Sequence, residues 1–272
     1  MAACALGASE VLADEKPVSI GSGALLNLAG NTETISPHTI TGASVATGAG
    51  ALILGGDVTV GLSAAAIPTV FDSTVSTAGV ARTIDVANGA AGEDLVVNAT
   101  VAGATGIIFA GANTVRLNAD NTGFAGGFRF NSSPWQVILL ASPNALGISM
   151  AELSGTILSA VVSLTGANKL TTPIRIGVNA VTIDMGNIEL GGVITFVPFG
   201  LLKLTVNGPA VLSGFLDTTL PNATVQKTGL GALMLNGSGT GSGKLQIDSG
   251  RWGWRVDPLW ETPSSRFDLP LA

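Results

Sequence analysis

The sequence predicts an all-β chain wound as a parallel β-helix, or β-solenoid, with a short N-terminal cap and an irregular C-terminal arm. Three observations predict it. Of 272 residues, 46% are hydrophobic and only 11% charged, against about 25% charged in an ordinary soluble domain, so the chain buries much and exposes little charge. Helical periodicity is nearly absent after residue 16; short apolar-ended runs alternate instead with Gly, Asn, Asp and Ser, as strands and turns do. The runs also return at a nearly constant interval.

The segment 1–17 reads as the cap. Ala5 to Glu15 can form a short helix with Leu6, Val11 and Leu12 partly on one side, which would shield the open edge of the first coil. Val11-Leu12-Ala13 resembles the small-residue end of a secretion signal, but a basic leading segment is lacking and Glu10 interrupts the apolar part, so the segment is read as uncleaved.

The solenoid is placed over 18–250. Its central runs are Ile84-Asp85-Val86, Leu95-Val96-Val97, Ile107-Ile108-Phe109, Val115-Arg116-Leu117, Phe128-Arg129-Phe130 and Val137-Ile138-Leu139, starting 11, 12, 8, 13 and 9 residues apart. Every second run therefore returns after 20 to 23 residues, the length of a solenoid coil. Val181-Thr182-Ile183, Leu202-Lys203-Leu204, Val225 and Leu245-Gln246-Ile247 keep the beat, with steps of 21, 23 and 20. A strand of three residues buries too little alone, but coils stacked at about 4.8 Å pile inward residues into a continuous column. The 37 glycines suit corners where positive φ is needed. A hairpin sandwich or barrel would also use turns at such spacing.

The third segment, 251–272, gathers three of the four tryptophans with Pro258, Pro263 and Pro270. Arg251, Trp252, Trp254, Arg255, Trp260 and Arg266 are the candidate partner-docking residues, because Trp and Arg are enriched where interfaces are strongest. Plugging of the last coil by Trp252 and Trp254, or stacking on sugars, are the competing roles. Trp135, after Pro134, is expected to fill a corner.

A motif separates solenoid from sandwich. Lys227-Thr228-Gly229-Leu230-Gly231-Ala232-Leu233-Met234-Leu235-Asn236-Gly237, followed by Gly243-Lys244-Leu245-Gln246-Ile247-Asp248-Ser249-Gly250, resembles the autotransporter-associated β-strand repeat. A looser copy runs from Gly106 to Gly147. The resemblance implies a right-handed parallel β-helix exposed on a cell or virion surface, and no particular activity. Unlike autotransporters, the sequence has no series of ten-residue alternating strands after Gly250.

Other classes are disfavoured. The apolar content argues against disorder and the lack of a Gly triplet against collagen. Despite a mean hydropathy of +0.52, the apolar stretches Val193 to Leu202 and Val137 to Ala141 are far shorter than the roughly 20 residues of a spanning helix. A net charge of −6 with 12 scattered basic residues gives no stripe for phosphates, so no nucleic acid is expected. With Cys4 and His38 each alone of their kind, no disulfide, metal or cofactor is expected. Asp184 with Glu189, and Glu93 with Asp94, are the acidic pairs a polysaccharide-cleaving β-helix would need; both read as solvated turn carboxylates, and His38 as a surface histidine.

The expected function is a non-enzymatic structural or surface-interaction β-helix on a virion, as a capsid-decorating or tail-fibre protein of a bacteriophage. The alternatives are a secreted adhesin or autotransporter passenger, then a polysaccharide-degrading tailspike. Expected partners are other copies in a homotrimer, other virion or surface proteins, and surface glycans.

Overall fold

A computed structural model of the chain describes residues 2–14 and 16–254, with the side chains of Ser133, Pro134 and 251–254 left undescribed. It is an all-β solenoid of about 11 turns in which every strand pairing is parallel. The fold class predicted from the sequence is the one observed.

Each coil presents up to three faces. The first is built from Val18–Ile20, His38–Ile40, Val58–Val60 and Arg82–Val86, and continues to Leu216–Thr218 and Gly239–Gly241. The second runs from Ala3–Ala5 through Leu25–Asn27 and Leu95–Val97 to Lys244–Ile247. The third is regular at the two ends only: Glu33–Ile35, Leu52–Leu54, Thr74–Ser76 and Thr100–Ala102 stack near the start, and Ala210–Leu212, Ala232–Leu235 and Arg251–Trp254 near the end. Between them it thins to isolated bridges at Leu164, Leu170, Ile188 and Leu190. Coil length follows the loops, from 19 residues between partners Leu25 and Ser44 to 26 between Val58 and Ile84.

Exact stacking turns the period-2 pattern of each strand into columns. Val58, Ile84, Phe109, Phe130, Leu153, Ile176 and Phe196 form one inward line by successive pairing, and all are buried. Phe109 and Phe130 stack with ring centroids 5.2 Å apart and planes 8° from parallel, and Phe128 and Phe124 join them at 4.8 Å from each other. Such offset rings add roughly 0.5–1.5 kcal/mol a pair beyond area burial.

Two strands far exceed the three to five residues of the others. Phe128–Leu140 and Ala151–Ala160 run through the corner between the first and second faces, with a register shift between Asn131 and Gln136. Gly155 permits the passage: its φ is +66°, and a Cβ there would lie 2.0 Å from the carbonyl oxygen of Ser132.

The N-terminal helix is not formed. The only helical turn among the described residues is the 3-10 turn Gly166–Asn168. Ala3–Ala5 instead pairs with Leu25–Asn27, and Leu6 N–H donates to the Asn27 carbonyl. The exposed edge of the first full coil offers a ready row of donors and acceptors, and it outweighs a lone helix of this length, which is marginal even where alanine favours it.

Candidate functional site

The docking segment begins as part of the solenoid. Arg251–Trp254 is a strand on the third face, where Arg251 pairs with Ala232, Trp252 with Leu233 and Trp254 with Leu235. Leu233 and Leu235 are buried, so Trp252 and Trp254 occupy register positions that continue two inward lines. Arg255, Trp260 and Arg266 lie outside the described residues. Beside this strand, Leu212, Leu216, Val225, Leu233, Leu235 and Leu245 line an apolar hollow of about 580 Å³ including its solvent-filled mouth.

Each candidate carboxylate is committed to a bond that holds neighbouring coils or a turn. Glu93 pairs with Arg116 at 3.1 Å. Asp94, next to it, is buried and accepts from the backbone N–H of Gly89 at 2.6 Å and of Thr114 at 2.9 Å. Asp184 accepts from Gly186 N–H at 3.0 Å within its own turn. Glu189 accepts from Ser213 Oγ at 2.5 Å and Gly166 N–H at 2.9 Å, with Lys169 Nζ at 3.8 Å. Burial is the largest single influence on Glu189 and opposes its charge, but these hydrogen bonds and Lys169 together outweigh it and hold the carboxyl below its usual range. The two members of each acidic pair thus have separate partners.

His38 corrects the expectation of a surface histidine. It is 3% exposed and takes the inward position between its partners Val18 and Val58. Neither ring nitrogen has a partner, and burial pushes its pKa down to about 4. The triplet His38-Thr39-Ile40 has the pattern of Val58-Thr59-Val60 one coil on, the signal that could have placed it. Trp135 likewise does not fill its corner: it stands 46% exposed beside the register shift.

Two buried polar residues take inward positions that their polarity hides in the sequence. Glu33 is fully buried, and its carboxylate accepts from the N–H of Val11 and Leu12 at 3.0 and 2.7 Å, tying the N-terminal segment to the first coil. Lys227 lies between Leu204 and Ile247 in an inward line. Its Nζ donates to the carbonyls of Gly229 at 2.8 Å and Ser249 at 2.7 Å, and burial lowers its pKa. The Lys-x-Gly-x-Gly motif is therefore a corner staple here: the ammonium satisfies carbonyls on two coils. On the outside, Asn118 Nδ2 donates to Asn98 Oδ1 at 2.6 Å, and Asn98 Nδ2 to Asp72 Oδ1 at 2.7 Å, a ladder across three coils.

Compared with known protein families, curated proteins and solved structures, the chain matches none.

Proposed function

We propose that the chain is a non-enzymatic structural module displayed on a surface, a virion exterior component of the capsid-decorating or tail-fibre kind. The observation that carries this reading is how the chain uses its chemistry. Glu33, Asp94, Glu189, Lys227 and the Asn ladder bind coil to coil, and on the first face Arg129 pairs with Glu152 of the neighbouring coil in the same way. Such a molecule offers stiff, flat surfaces with a rung every ~4.8 Å, suited to lying against neighbours.

A second reading, a secreted adhesin, is favoured by the Lys227-to-Gly231 motif and its resemblance to autotransporter passengers. Quantitative mass spectrometry of purified particles and of the secreted and envelope fractions of the producing host separates the two. Recovery in fixed ratio to a capsid protein supports the virion role; recovery only from the envelope or medium supports the adhesin. Release of reducing ends from a capsular polysaccharide panel, lost in Asp184→Asn or Glu189→Gln, would sink both.

A further inference from the structure

Where Phe128–Leu140 and Ala151–Ala160 carry the second face, its outward side turns apolar over two successive coils. Val137 is the register partner of Ile157, and Leu139 of Ser159. Trp135 at one end and Val161 at the other are both more than two-fifths exposed. Charge brackets this strip along the coil axis. On the N-terminal side Arg116 is the partner of Leu139; on the C-terminal side Asp184, one step beyond the Leu158–Ile183 pair, continues the same line past Ser159. The parallel line reads Thr114, Val137, Ile157, Thr182.

We propose that this strip is a homodimer interface: a second copy of the chain packs on it face to face, about a two-fold axis parallel to the strands and lying between Phe128–Leu140 and Ala151–Ala160. Rotation about that axis reverses the order of the coils and leaves position along the strand unchanged. Val137 then meets Ile157 of the second copy, Leu139 meets its Ser159, and Arg116 meets its Asp184, twice over by symmetry. The order cation, apolar, small polar, anion is self-complementary under this operation alone. Copies set side by side with coils in step would place Arg116 on Arg116 and Asp184 on Asp184, a like-charge contact that costs stability.

Glu93 and Asn118 hold Arg116 at the strip's edge by hydrogen bonds of 3.1 and 2.7 Å, so its guanidinium is fixed before association. Four rungs by about seven residues cover roughly 20 Å by 20 Å on each copy, about 800 Å² in all and below the ~1,200 Å² at which standard specific interfaces begin, so association is weak and transient. The two-fold arrangement replaces the trimer expected from composition. It goes beyond the surface role, which a monomeric result would leave standing.

Sedimentation velocity of the full chain over a concentration series tests the proposal. A monomer–dimer equilibrium is expected, weakened about tenfold or more in Asp184→Lys and abolished in Val137→Lys, which sets an ammonium opposite Ile157 of the second copy. Asp217→Lys, the same charge change on the first face, should leave it intact; circular dichroism and melting confirm that each variant folds. A chain monomeric at every concentration, a three-fold or higher assembly, or a dimer indifferent to both interface variants would overturn it.

Discussion

At the scale of single residues, the buried polar groups decide how this chain responds to its surroundings. His38 is the sharpest case, because its ring lies among apolar neighbours with both nitrogens unpartnered. Its folded pKa of about 4 lies below the ordinary 6.5, so the unfolded chain binds a proton that the folded one refuses. Above pH 6.5 both states hold a neutral ring and nothing is lost; as pH falls from there towards 4, stability drains, by ~3 kcal/mol in all. Urea midpoints at pH 7 and pH 4.5 should therefore fall further apart in the natural protein than in His38→Val, whose side chain matches Val18 and Val58. Equal pH dependence in the two proteins would show that the imidazole is not the sensitive group. Neither His38 nor Lys227 was legible as core, and for one reason: polarity is a strong prior for exposure, whereas alternation with Ile40 and Val225 places both residues inside.

At the scale of strands and corners, much of the architecture was legible. Triplets such as Ile84-Asp85-Val86 and Leu202-Lys203-Leu204 state which residues face inward, and their return after one coil states what they stack on. The third face was not legible as a separate beat, since over the middle coils it consists of isolated bridges around Leu164 and Leu190 and leaves two strong runs per coil. The continuous strand Phe128–Leu140 was read as two separate triplets, and Ala151–Ala160 was not singled out as a run, for a different reason. What fuses them is backbone geometry at Gly155, which sequence shows only as one more glycine. Gly155→Val tests that account, since it forces a β-branched residue to a positive φ and drives its Cβ into the Ser132 carbonyl. A loss of at least 1–3 kcal/mol in chemical denaturation is expected. Gly166→Val, with similar φ but open space around it, bears only the backbone part of that cost. Equal losses at the two sites would mean that the corner relaxes freely and Gly155 is not what holds it.

At the scale of the whole molecule, a stack in which each coil touches only the coils above and below need not melt as one unit. Burial is lowest in the first and last described coils: Ala3–Ala5 is exposed throughout and Lys244–Ile247 only partly covered, whereas Leu95–Val97 is buried at every position. The aromatic stack of Phe109, Phe128 and Phe130 adds its contacts to the middle, and the long strands beside it bind the two best-formed faces into a single ladder. Stability should therefore decline outward from the coils around residues 107–160. Native-state hydrogen exchange reads this directly, because each amide reports the cheapest opening that frees it. The amides of Phe109, Phe130, Leu153 and Leu158 should exchange the slowest, and those of Leu26 and Leu245 faster by more than about a hundredfold, equivalent to ~3 kcal/mol of easier opening. The proposed dimer adds a second expectation: dilution through its equilibrium should speed the central amides of Val137 and Ile157 without changing those at the ends. Uniform protection from the first coil to the last would instead show that this solenoid opens cooperatively, with the staples at Glu33 and Lys227 transmitting the stability of the centre to both ends.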